Sequence, residues 1–273
     1  MPQIVGPARV DAELFLREME SGRNGAVLLQ ARGDDGAPLE CIVKLAKAMA
    51  KEHAAMLPIP YLCEWLAAAI GRALGIRVAV PLEVFITREY AEALTDPKQR
   101  AIALGSLGSA FGCQHVSAGS SQYTVDLPDP CLRTPAAELV AFDVFIHNPD
   151  RRKTNPNLFV SRGDLFAFDH GDAFSFLLPI LGAPDPVTDA LDKCVEEHAC
   201  RGWLHKRDFS LDRFREALEL LTDQVFDEIV AVTPPAWTSG HAQGKMGFVV
   251  DVMKKRRDAV NDWLPKVEAW LAK

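Results

Sequence analysis

Two neighbouring stretches, FDVFIHNPDRRKTNPNLFV at 142–160 and LFAFDHGDAF at 165–174, leave this chain little choice of local fold. Thr134 and Pro135 carry the signature of a helix start, a cap residue followed by proline at the first helical position. Pro149 ends that helix, because proline lacks the N–H and clashes with the preceding turn. Two short apolar runs, NLFV and LFAFD, follow and are joined by SRGD, which reads as a hairpin. Asp150 stands before one strand and Asp169 closes the other. The hairpin therefore returns Asp169 to the loop that carries Asp150 and Asn155. Paired carboxylates with an amide supply hard oxygen donors, the kind a divalent cation or a phosphate-handling site uses.

The rest of the chain can serve such a site. GAVLLQARGDDGAPLECIVKLAK reads as a β-hairpin, with Lys44 on its second strand between apolar neighbours. Leu62, Trp65, Leu66, Ala69, Ile70, Ala73 and Leu74 recur at helical spacing, and Gly75 is the expected stop. RVAVPLEVFI returns to strand. Between Thr87 and Pro130 the pattern is mixed: a helix broken at Pro97, a short strand in AFGCQHVSAG and a proline-punctuated linker. FSLDRFREALELLTDQVFDEIV and MGFVVDVMKKRRDAVNDWLPKVEAWLAK read as amphipathic helices. The basic run Lys254-Lys255-Arg256-Arg257 is expected on a solvated face.

Composition sets the bounds. The 273 residues suffice for one large domain or two lobes. A net charge of −7 argues against direct nucleic-acid binding. No signal peptide is expected in MPQIVGPARVDAEL, and LAAAIGRALGI is too short for a membrane span. Six cysteines without a CxxC pair read as reduced thiols of a cytoplasmic protein. Cys194, His198 and Cys200 form a loose metal-like spacing that lacks a fourth ligand.

In order along the chain stand Lys44 on a strand, Glu64 on the next helix, Asp150 with Asn155 in a loop, and Asp169 before His-Gly. Phosphoryl transfer from ATP needs these parts: a lysine on the phosphates, a glutamate holding it, an acid beside the attacking hydroxyl, and an amide and an acid for Mg2+. Each residue alone has a plainer reading. Lys44 could sit on a solvated strand and Glu64 on a helix surface, and Asp150 and Asn155 could be turn-formers beside proline. Asp143 is expected to brace the loop, and His147 and His170 to be structural. Gly105, Gly108 and Gly112 are discounted as a phosphate loop, since no strand precedes them and no helix follows.

NPDRRKTNPNLFV followed by FAFDHGDAF resembles the catalytic and metal-binding segments of HipA-like kinases. It is also similar to the phosphoinositide-kinase branch of the same protein-kinase-like fold. Asp150-Arg151 matches the family's Asp-Arg pair, Asn155 the metal-binding amide by gapless spacing, and Asp169-His170-Gly171 the Asp-Phe-Gly position. Asn157, just before the strand, is the alternative amide. CIVKL resembles the lysine strand, and YLCEWLAAAIGRALGIRVAVP the helix that carries the lysine's partner, Glu64.

The resemblance implies an α+β, two-lobed protein-kinase-like fold. A small antiparallel-sheet N-lobe spans 1–116, with a hinge at Phe111 to Val116, and a mainly helical C-lobe spans 117–273. It implies an ATP- and Mg2+-dependent kinase acting most simply on protein Ser or Thr, with an antitoxin-like partner. Two departures stand out: no Gly-x-Gly-x-x-Gly precedes Lys44, for which GRNGAVLL is the substitute, and the extra N-terminal subdomain of the full toxin kinases is not expected here. A small-molecule or lipid kinase, a nucleotide-binding pseudokinase and a metal-dependent hydrolase are the rival readings.

Overall fold

The computed structural model describes residues 4–19, 25–49, 55–115, 120–122 (by backbone alone), 130–161, 163–178 and 184–273. The N-terminal part is a five-stranded sheet: β1 (Ala8–Glu18), β2 (Ala26–Gly33), β3 (Pro38–Lys44), β4 (Pro81–Ile86) and β5 (Gly108–Gln114). The β2–β3 hairpin forms as the sequence indicates, with Ala26 opposite Lys44 and Arg32 opposite Pro38. The sheet is not purely antiparallel. Strand order is β1-β2-β3-β5-β4, and β4 closes onto β1 as a barrel by parallel pairing of Ala8–Asp11 with Leu82–Phe85. The first strand gives a weak signal because only Val10 and Ala12 of its eleven residues are buried. The remainder is largely charged or exposed, and two register shifts interrupt its pairing with β2.

Barrel closure explains one glycine. Gly112 lies in β5, between β3 and β4. A Cβ there would meet Val84 Cγ2 at 2.7 Å and the Ile42 carbonyl at 3.2 Å. Close strand packing, not phosphate binding, accounts for this residue. The expected hinge overlaps this strand. Phe111–Gln114 belong to β5, and Gly112 and Cys113 pair on both sides, so their backbone groups serve the barrel. Val116 lies outside the described residues, as do Gly22, Arg23 and Asn24 of GRNGAVLL, while Ala26 to Leu29 open β2.

Helix α1 (Ile59–Ala73) starts with Pro60 in its first turn and gives way to Gly75, which takes φ of 75°. It packs closely on α4 (Arg133–Phe145): a Cβ on Gly71 would lie 3.0 Å from the Phe142 ring. Between them in sequence, Pro97 breaks the expected helix into α2 (Arg88–Ala93) and α3 (Pro97–Leu104), with Thr87 and Asp96 as side-chain caps. Helix α4 differs from expectation at its start. A 3-10 turn, Pro130–Leu132, runs straight into it, so Leu132 and not Thr134 occupies the cap position. Thr134 instead accepts the Ser210 N–H at 3.4 Å.

After α4 come β7 (Leu158–Ser161) and β8 (Asp164–Ala167), the expected hairpin, joined by β6 (Ser120–Gln122) on its far side. The C-terminal part is helical: α5 (Asp192–Glu197), α6 (Arg201–Leu204), α7 (Asp212–Leu220), α8 (Asp223–Ala231), α9 (Lys245–Asp258) and α10 (Val260–Ala272). The two long helices of the sequence reading are each divided, at Leu221–Thr222 and at Ala259.

The basic run is not a solvated face. Arg256 is fully buried and donates to the carbonyls of Val144, Pro186, Val187 and Asp189, with its guanidinium 4.9 Å from the Trp263 ring centre. Burial pushes its pKa down to about 9, while Asp189 and Asp185 oppose the shift. Only Lys255 of the four is exposed.

Gly112→Ala should cost about 1–3 kcal/mol, the usual penalty of overpacking a closed core. Thermal unfolding of the variant beside the parent measures it; an unchanged midpoint would mean that the barrel yields at β5.

Candidate active site

Lys44 ends β3, and Tyr61 of α1 fixes its backbone by donating a hydroxyl hydrogen bond to the Lys44 carbonyl at 2.7 Å. The lysine is buried, and its Nζ finds two carboxylates. It donates to Glu64 Oε1 and, at 2.5 Å, to Asp169 Oδ1. The other oxygen of Glu64 accepts the His170 N–H at 2.8 Å. One helix residue thus holds both the lysine and the Asp-His-Gly segment.

Burial opposes the Lys44 charge, but Asp169 and Glu64 more than reverse it and hold the ammonium protonated. Burial also pushes Glu64 up to about 7 against the pull of Lys44 and the His170 N–H. For Asp169 burial acts upward too, yet Lys44 prevails and keeps its carboxyl below the usual range. Gly171 packs close to this pair: a Cβ would stand 3.3 Å from Lys44 Nζ and 3.4 Å from Glu64 Oε1.

The loop after α4 is built around Arg151. Its guanidinium is buried and all its donor groups are used. Nε donates to Asp143 Oδ2 at 2.5 Å and Nη2 to Asp143 Oδ1 at 3.3 Å. Nη1 reaches the Asn157 carbonyl at 2.6 Å and the Phe168 carbonyl at 3.3 Å. Nη2 also meets His170 Nε2 at 3.0 Å. A guanidinium only donates, so His170 Nε2 is the acceptor and its proton sits on Nδ1. Burial first, then Arg151, push the His170 pKa down to about 3 and keep the ring neutral.

Asp143 braces the loop as expected. It also accepts Asn148 Nδ2 at 2.8 Å and His198 Nε2 at 3.0 Å. Burial would raise its pKa, but Arg151 and His198 hold it far below the ordinary carboxylate range. Both ring nitrogens of His198 are therefore engaged, since Nδ1 accepts the Cys200 N–H at 3.1 Å. This leaves the Cys194-His198-Cys200 spacing without a metal role, and none of the cysteines is in a disulfide.

Asp150 is half-buried, and its carboxyl is raised by burial and by the charges of Asp172 and Asp169. Its Oδ2 accepts Asn155 Nδ2 at 2.7 Å and Asn157 Nδ2 at 3.4 Å. The two amides differ in setting. Asn155 is exposed on a turn, bridged to Arg152. Asn157 is buried, and its carbonyl accepts the Phe168 N–H at 3.1 Å, one residue before Asp169. The structure thus brings Asn157, rather than Asn155, alongside the Asp169 strand.

His147, Asn157 and Asp169 all take positive φ, of 51°, 47° and 57°. Asn, Asp and His are the non-glycine types that tolerate that region best. Among the described residues no group of three or more His, Cys, Asp or Glu forms a metal cage. Mg2+ takes few ligands from protein, one or two carboxylates, with water and phosphate supplying the rest, so the lack of such a cage does not disqualify the site.

Lys44, Glu64 and Asp169 therefore meet at one point, with Asp150, Asn155 and Asn157 grouped on the adjoining loop. A family model for HipA-like kinases matches residues 46–262. The chain belongs to the HipA-like kinase family. Lys44 lies just ahead of the matched span. Two solved structures are similar to this kinase in outline. A Helicobacter pylori proinflammatory kinase, CtkA, is 11% identical with a TM-score of 0.44, over 86% of this chain and 94% of that one. A golgi casein kinase is 10% identical with a TM-score of 0.40, over 94% of this chain and 74% of that one. Comparison with curated proteins finds no match. No helix among the described residues is long and apolar enough to cross a membrane.

In the sequence Arg151 stands out only as the second member of the Asp-Arg pair. Its position next to Asp150 was visible; its full burial was not. Arg151→Met strips the buried Asp143 of its main partner and should cost the kinase about 3–5 kcal/mol, read by urea unfolding. A loss under 1 kcal/mol would mean that the network is dispensable.

The buried histidine gives a pH test. His170 falls to about 3 in the folded protein from 6.5, so the unfolded state binds more protons between those values. Stability from this group is present above pH 6.5 and is lost on acidification toward 3; Glu64, raised to about 7, works in the opposite sense between pH 7 and 4.5. His170→Gln keeps an acceptor for Arg151 and removes the first effect. Its stability relative to the parent should improve as pH drops from about 7.5 to 5, by at most about 1.4 kcal/mol per pH unit. A pH-independent difference between the two would show that His170 does not titrate this way.

Proposed function

We infer that this kinase transfers the γ-phosphoryl group of ATP to a hydroxyl, most simply that of a protein Ser or Thr. The observation that carries the reading is the meeting of Lys44 with both Glu64 and Asp169, beside a loop that presents Asp150. ATP and a divalent cation are what the family uses. The Ser/Thr acceptor and an antitoxin-like partner come from the family resemblance.

The residues divide the work. Lys44 neutralises phosphate charge, and Glu64 fixes where its ammonium points. Asp150 orients the acceptor hydroxyl and takes its proton as the oxygen bonds to the γ-phosphorus and the bond to the bridging oxygen of ADP breaks. Its raised pKa suits that task, since a stronger base takes the proton more readily. Asp169 and Asn157 are the metal ligands of this reading. The Asn157 N–H group turns to Asp150, which leaves its carbonyl oxygen for a cation. Magnesium, when bound, offsets the charge that builds on the phosphate oxygens. Asn155 steadies Asp150 through their hydrogen bond.

The test is label transfer from γ-labelled ATP with magnesium. Asp150→Ala should lose about 10²–10⁴-fold in rate with ATP binding kept. Asn157→Ala should raise the magnesium concentration needed for half-maximal rate by about tenfold, and Asn155→Ala by much less. Equal labelling by Asp150→Ala and the parent would end the proposed role of Asp150. A larger magnesium shift for Asn155→Ala would return the ligand to Asn155.

A further inference from the structure

Helix α1 is buried almost all round. Every residue from Ile59 to Gly71 is buried, although one face would suffice to meet the barrel. Its other side is covered by the last third of the chain: α8 packs on it, as do the 3-10 turns Pro235–Trp237 and Gly240–Ala242. Two contacts from this cover are specific. Trp65, the neighbour of Glu64, donates its indole N–H to Thr233 Oγ1 at 2.8 Å, and the Thr233 hydroxyl donates in turn to the Ile229 carbonyl at 2.8 Å. Trp237, fully buried, lies edge-on to Tyr61 of α1 with ring centres 6.5 Å apart, and against Phe111 of β5 at 5.7 Å.

These contacts reach both halves of the ion pair. Tyr61 holds the Lys44 carbonyl, and Trp65 adjoins Glu64. Kinases of this general fold require the strand lysine and the helix glutamate to be in place, and the position of that helix is a usual point of control. Here, swinging α1 outward would leave the Trp65 N–H without its acceptor and open apolar space around Trp237. A buried donor without a partner is expensive.

We propose that residues 229–237 are a built-in clamp that keeps Lys44 and Glu64 assembled before nucleotide arrives, with Thr233 and Trp237 as positioning residues. The kinase then has no resting state in which α1 is displaced. Any partner that silences it through this helix must first lift the C-terminal segment. The proposal rests on the reading of Lys44–Glu64 as the nucleotide-holding pair.

Thr233→Val removes the acceptor at nearly constant volume, Thr233→Ser restores it, and Trp237→Leu removes the wedge. Each full-length variant is read by hydrogen–deuterium exchange of the α1 amides without nucleotide, by MgATP affinity and by single-turnover label transfer. Thr233→Val should exchange over Leu62–Ile70 about tenfold faster than the parent, with Thr233→Ser close to the parent. Transfer should slow about tenfold while the MgATP dissociation constant stays within about threefold. Unchanged α1 exchange in both Thr233→Val and Trp237→Leu overturns the clamp. So does an equal acceleration in α4, which would mark general loosening. Absence of MgATP binding by the parent would remove the role given to Lys44 and Glu64, while the exchange rates would still decide the clamp.

Discussion

The site depends on one buried cation. Arg151 ties together three parts of the chain: the last turn of α4 through Asp143, the segment before β7 through the Asn157 carbonyl, and the segment after β8 through Phe168 and His170. A buried ion pair is a poor source of net stability, because desolvation consumes most of the attraction. Its value here is geometric. A planar guanidinium with fixed donor directions can serve three acceptor segments at once, which a flexible ammonium could not do equally well. Asp150 is the residue before Arg151 and Asp169 the one after Phe168, so the fork sets the spacing between the two acids of the proposed chemistry.

Charge balance completes the arrangement. One lysine faces two carboxylates, Glu64 and Asp169, and Asp150 feels both Asp169 and Asp172 across the cleft. Neutral His170 adds no positive charge, since burial and Arg151 keep it unprotonated. The site is therefore short of cations where the proposed reaction would bring a metal with the phosphates. The strained backbone at Asn157 and Asp169 is held by the same hydrogen bonds, so the donors are already in place.

The local parts of this design were legible in the sequence. The hairpin of β7 and β8 was announced by two short apolar runs around SRGD, and α1 by its spacing and its terminal glycine. Asp169 could be picked out because it closes an apolar strand before His-Gly, whereas Lys44 and Glu64 stood out only by their order ahead of it, one on a strand and one on the next helix. What escaped depends on contacts far apart in the chain. The parallel closure of β1 on β4 leaves no periodic mark, because β1 buries few side chains. Arg256 looked like one of four surface cations, yet the acceptors that bury it come from residues 144 and 186–189. Spacing left Asn155 and Asn157 both open as the amide, and only the fold shows that the first is exposed and the second buried.

A common device runs through the molecule. Arg151, Arg256, Tyr61 and Thr233 each spend side-chain donors on backbone carbonyls of other segments or at a helix end. Irregular backbone near a reaction centre cannot satisfy its own polar groups as a helix or sheet does, and buried unpaired carbonyls are costly. Long polar side chains from neighbouring elements meet that need and leave the loop free to take positive φ where Asp169 and Asn157 require it. The arrangement makes each clamp replaceable only by a group with the same reach and donor geometry. Substitutions in this kinase should therefore divide by donor capacity more than by hydrophobicity. Arg256 illustrates the division: lysine keeps the charge, but its single nitrogen cannot serve both the Pro186 and Val187 carbonyls held by Nη1 and the Val144 and Asp189 carbonyls held by Nη2.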